Sequence, residues 1–96
     1  VAETRRPGYR APRLPVAARA LLYTETGLAA VQIFNISQHG AGFAHDGSVR
    51  AGINAKLVLP RGAEHRGLVR WSADGRAGMR LLEPIPCARL ESASLL

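Results

Sequence analysis

Two groups of polar side chains have types and spacings that could do chemistry. Arg5, Arg6, Arg10 and Arg13 fall within residues 1–13, and Asn35-Ile36-Ser37-Gln38-His39-Gly40 ends a run of β-branched and aromatic residues. Guanidinium groups grip phosphates and guanine edges bidentately. Gly40 reads as the residue that supplies positive φ for a sharp turn. Each group alone also has an ordinary structural explanation. The arginines would make a solvated basic tail, and the Asn–Ser–Gly stretch a strand exit whose side chains bond local backbone.

Other chemistries lack their residues. No GxxxxGK[ST] or GxGxxG phosphate loop is present, and His39, His45, His65 and Cys87 have no metal-ligand spacing. Ser37 and His39 stand two apart; a Ser-His-Asp triad could assemble in three dimensions, but nothing in the sequence signals one, and the seven acidic residues show no arrangement suggesting a general acid/base pair. The sequence therefore predicts no catalysis, no metal and no cofactor.

The elements that must carry the two groups read as strands. Residues 14–24, LPVAARALLYT, suit helix or strand by propensity. The TETG turn and the strand-like 28–37 run, with Val31, Ile33, Phe34 and Ile36, favour a hairpin and hence a strand. A short strand is expected at 41–44. Another spans 52–60, with Ile53, Ala55, Leu57 and Leu59 on one face, ending at Pro60. The 64–73 and 76–82 runs flank Asp74-Gly75, a strong hairpin signal. Pro84 and Pro86 then break the sheet, and 87–96 reads as a short helix. The expectation is all-β: a small six-stranded antiparallel β-barrel over 14–96 with a short C-terminal helix, preceded by a flexible Arg-rich arm, 1–13.

Composition narrows the partners. The chain has 96 residues, one domain's worth, and a formal net charge of +6. Twelve of the thirteen basic residues are arginine, Lys56 being the exception. Such a charge points to an anionic partner. A nucleic-acid barrel is disfavoured because aromatic stacking platforms are few: one Trp, two Tyr and two Phe. The lone Cys87, the absence of an apolar signal core in 1–7 and the lack of a membrane-length apolar run suggest a cytoplasmic protein.

Together the two groups resemble the PilZ domain family, which carries RxxxR on an N-terminal arm and [D/N]xSxxG about two dozen residues later. Asn35, Ser37 and Gly40 match all three defined positions of the second motif. Further similarity lies in Arg13-Leu14-Pro15-Val16, in Gly52 with the alternating apolars after it, in Val69-Arg70-Trp71 and in Gly78-Met79-Arg80-Leu81, so that it spans roughly 5–86. Arg6 and Arg10 satisfy RxxxR literally. The approach to the first strand and the spacing to Asn35 fit Arg13 as the second arginine, with Tyr9 in the first position. Both registers stay open.

The resemblance implies a bacterial second-messenger receptor that binds cyclic di-GMP and passes the signal to a downstream protein. Arg6, Arg10 and Arg13 would clamp guanine edges and phosphates, and Asn35 and Ser37 would bond a guanine. Gly40 would clear room for the ligand, while Trp71 would contact a base or the arm, or serve as barrel packing. The alternative is a degenerate PilZ-like adaptor that binds protein without cyclic di-GMP.

Overall fold

The computed structural model describes residues 14–86 and residue 89. The six strands are β1 (Leu14–Thr24), β2 (Gly27–Ile36), β3 (Gly40–Ala44), β4 (Asn54–Val58), β5 (Glu64–Ala73) and β6 (Arg76–Leu81). All pairings are antiparallel, and the order β1-β2-β3-β6-β5-β4 closes on itself through β1 and β4. Closure removes the unpaired edges that an open sheet of this size would expose.

Period-2 alternation divides each strand between an interior and an outer wall. Ala20 and Leu22 of β1, Val31, Ile33 and Ile36 of β2, and Ala41 and Phe43 of β3 point inward. They meet Ala55 and Leu57 of β4, Val69 of β5 and Ala77, Met79 and Leu81 of β6. Val49 and Leu59 from loops, with Ile85 after β6, complete this core. Each buried Val, Leu, Ile or Phe contributes about 1.5–3 kcal/mol. A domain this small buries a modest share of its surface, so each of those side chains matters.

Local chemistry sets the turns. Asp74 (φ 56°) and Gly75 (φ 77°) both take the left-handed region, as a two-residue type I′ hairpin turn requires. The alanine- and leucine-rich 14–24 segment is a strand because tertiary pairing with β2 over nearly its whole length overrides helix propensity. β4 is shorter than the expected 52–60. Gly52 (φ 90°) turns away, and its N–H bonds the Val69 carbonyl at 2.7 Å. The strand beginning at Arg76 stops at Leu81 rather than residue 82. The predicted arm, 1–13, lies outside the described residues. So does the predicted C-terminal helix except Arg89, whose N–H bonds the Pro86 carbonyl at 2.9 Å.

Candidate functional site

The outer wall is irregular in two places, and both frame the same strip. On β2 the register slips between Ile33 and Asn35, so Phe34 and Asn35 together oppose Gly42 of β3. On β5 it slips between Val69 and Trp71, so Arg70 and Trp71 together oppose Gly78 of β6. Such bulges re-aim side chains and are frequent beside binding sites. Gly42 and Gly78 are themselves partners across β3 and β6. Asn35, Gly42, Gly78 and Trp71 therefore form one row across four neighbouring strands, three interstrand steps or about 14 Å from end to end.

The two glycines are the floor of this strip. A Cβ on Gly42 would lie 2.8 Å from Phe34 Cε1 and 3.0 Å from Asn35 Oδ1, and a Cβ on Gly78 would run into the Trp71 indole. An aromatic ring from the adjacent strand thus covers each glycine, a device that compensates for the missing side chain. Trp71 nevertheless keeps 44% of its surface exposed. Arg76 and Arg80 share the outer face of β6 with Gly78, one on either side, about 7 Å along the strand. The Arg76 guanidinium sits 5.4 Å from the centroid of the Phe34 ring. The strip offers an amide at one end, an indole at the other and guanidinium groups along its middle.

The Ser37–Gly40 turn adjoins the Asn35 end. Ser37 is buried, and both its N–H (2.8 Å) and its hydroxyl (3.3 Å) donate to the Gly40 carbonyl. The hydroxyl contact is the longer of the two, and the oxygen keeps lone pairs for an external donor. The turn is pinned from outside: Leu81 N–H bonds the His39 carbonyl and Ile85 N–H the Gln38 carbonyl, each at 2.8 Å. Gly40 corrects the sequence reading. It is not among the positive-φ residues. Glycine is required there because a Cβ would lie 2.7 Å from the Met79 carbonyl oxygen. The constraint is close packing of two backbones, not turn geometry.

Of the sequence-predicted site residues, Asn35, Ser37, Gly40 and Trp71 lie on or beside this outer surface of β2, β3, β6 and β5. Arg6, Arg10 and Arg13, with Tyr9, lie outside the described residues. The register does locate where the chain joins the barrel: Leu14 opposes Ile36, and Pro15 opposes Asn35. β1 thus begins alongside the Asn–Ser motif.

Other polar groups resolve into structural roles. His45 Nε2 and Ser72 Oγ stand 3.0 Å apart, a spacing that would suit a nucleophile and its base. The remaining bonds exclude that role. Gly47 N–H donates to His45 Nδ1 (2.9 Å), so neutral His45 carries its proton on Nε2 and donates to Ser72. Ser72 in turn donates to the Val49 carbonyl at 2.7 Å. The chain of bonds fastens the loop after β3 to β5. In the same loop, bonds from the Ser48 hydroxyl (2.6 Å) and N–H (2.9 Å) hold the Asp46 carboxyl below the usual carboxylate range. Among the described residues no group of His, Cys, Asp and Glu is placed to hold a metal ion, and no helix is long and apolar enough to cross a membrane.

Sequence reasoning missed Phe34, Gly42, Gly78, Arg76 and Arg80 as parts of the strip. One signal was present: Arg76, Gly78 and Arg80 alternate on a strand whose intervening residues are apolar. Their alignment with Asn35 depends on two bulges, which no local pattern marks. The chain from residue 5 to residue 93 matches the family model described as PilZ domain. A search of curated proteins finds no match.

Proposed function

The chain belongs to the PilZ domain family, and on that basis we propose that it is a cyclic di-GMP receptor working through binding rather than catalysis. PilZ domains are generally cyclic di-GMP-binding, and the family is one of binding and adaptor modules. The observation that carries the reading is the register at the start of β1. Leu14 and Pro15 pair with Ile36 and Asn35, so the arginine-rich leader attaches beside the Asn–Ser motif.

From that attachment point Arg10 and Arg13, joined by Arg6, reach across the strip. They meet the two phosphates and the O6/N7 edges of the guanines with charge-assisted bonds. Asn35 supplies a donor and an acceptor to a guanine, and the Ser37 lone pairs accept from one of its N–H groups. The Trp71 indole, half-exposed at the far end, presents a face on which a base can stack. Arg76 and Arg80 add positive potential between the two ends. Ordering the leader costs conformational entropy, which those contacts offset, and the ordered leader alters the surface shown to a downstream partner.

Isothermal calorimetry with cyclic di-GMP, with GTP as control, tests the proposal. Micromolar or tighter binding to the dinucleotide alone supports it, and Arg13→Ala should then weaken binding about ten- to a hundredfold, the ~1.5–3 kcal/mol of one charge-assisted contact. Trp71 is the sole tryptophan, so its emission should change as ligand is added. Calorimetric silence would transfer the chain to the adaptor reading that the Tyr9 register suggests.

A further inference from the structure

The wall formed by β2, β1 and β4 has a different surface, which the dinucleotide reading does not use. Three large apolar side chains are exposed there: Leu28 (58%), Tyr23 (42%) and Leu21 (38%). The registers make them neighbours. Tyr23 pairs with Leu28 on one side and Lys56 on the other, and Leu21 pairs with Ala30 and Val58. Leu28, Ala30, Tyr23, Leu21 and Val58 form a contiguous outward patch over three strands, two interstrand steps or about 10 Å across. Contiguous exposed apolar side chains on one wall are a candidate interaction surface.

Charge defines the partner. The patch lies between Arg19, paired with Gln32 on one side, and Lys56 and Arg66, paired with each other on the other, where Glu64 also pairs with Val58. Arg19 and Arg66 have no carboxylate partner among the described residues. Lys56 spans Tyr23, 5.1 Å from the ring centroid, and Glu64, at 3.5 Å. A closed barrel offers no free edge here, so strand addition is excluded and side chains must do the recognising. A width of about 10 Å is that of one α-helix.

We propose that this wall docks an amphipathic helix of a partner protein, with its apolar stripe on Leu21, Tyr23 and Leu28 and its acidic flanks against Arg19 and the Lys56–Arg66 pair. In the barrel order β1 stands opposite β6, so helix and dinucleotide occupy different walls and can be bound together.

The test is heteronuclear NMR titration of the chain with a synthetic helical peptide of about 18 residues, leucines on one face and glutamates flanking them. A matched peptide with lysine for glutamate is the control. Shifts confined to residues 19–30, 56–58 and 66, seen only with the acidic peptide, support the proposal. Leu28→Glu and Arg66→Glu should each weaken that peptide about tenfold or more, with the cyclic di-GMP titration unchanged. Several results would overturn it: no shifts, equal shifts with the lysine peptide, or shifts centred on Gly42 and Gly78. Concentration-dependent self-association lost in Leu28→Glu would instead assign the wall to a second copy of the chain. Binding to anionic phospholipid vesicles without peptide binding would assign it to a membrane surface.

Discussion

The two outer walls of this barrel rest on one core and both carry arginines, yet they differ in regularity and in the side chains they expose. The β2-β3-β6-β5 wall is interrupted by two bulges, floored by Gly42 and Gly78 and lined by Asn35, Trp71, Arg76 and Arg80. The β2-β1-β4 wall keeps an unbroken register over the Leu21–Thr24 stretch and exposes Leu21, Tyr23 and Leu28. Small polar ligands need precisely aimed groups and a place to lie, which bulges and glycines create. A broad apolar contact needs only regular alternation. The difference shows that the irregular surface of this barrel lies where the ladder slips.

The largest expected effect falls on β5 of the irregular wall, at a glycine outside the floor of the strip. A Cβ on Gly67 would collide with the Arg80 backbone, which cannot swing aside as a side chain can. Gly67→Ala should cost about 2–4 kcal/mol in urea unfolding, whereas Ala30→Val on the regular wall should stay within about 0.5 kcal/mol. Equal costs would erase the distinction. Ligand binding sharpens it next. Asn35→Ala should weaken cyclic di-GMP roughly tenfold by calorimetry, and Leu28→Ala should leave that affinity unchanged. The smallest effect concerns the β4–β5 seam between the walls. His65 pairs with Leu57 and turns inward, its Nε2 buried without a hydrogen-bond partner among the described residues. Desolvation, aided by the Arg89 charge, lowers its pKa below 6.5. At pH values between the folded and unfolded pKa the unfolded chain binds more protons. This contribution is therefore full above about pH 6.5 and drains as pH falls through it. Denaturant midpoints of the wild type and His65→Phe should diverge on acidification, with the variant the flatter of the two.

Most of the fold was legible because its signals are local. Alternation in 64–73, the Asp74-Gly75 turn and the β-branched 28–36 run each announce themselves within a few residues. The 14–24 segment was ambiguous in isolation and was decided by its hairpin context. The site was legible only at its motif. Asn35, Ser37 and Gly40 are contiguous enough to read as a motif, but Gly40's requirement comes from Met79, 39 positions later in the chain, so turn chemistry gave the wrong reason for a glycine there. Phe34, Gly42 and Gly78 were invisible for the same cause: a one-residue slip in a long-range ladder leaves no trace in composition or period.

Two joints in the ring of strands have only four pairs, β2–β3 and β1–β4, and the second lies beneath the apolar wall. β1 meets β4 only from Leu21 to Thr24, against Ala55 to Val58, while β1 and β2 are laced along nearly their full length. A hoop under thermal strain parts at a narrow weld. Amides of that joint should trade hydrogen for deuterium before those of the β1–β2 ladder, and a body pressed across Leu21, Tyr23 and Val58 would act as a splint over the crack.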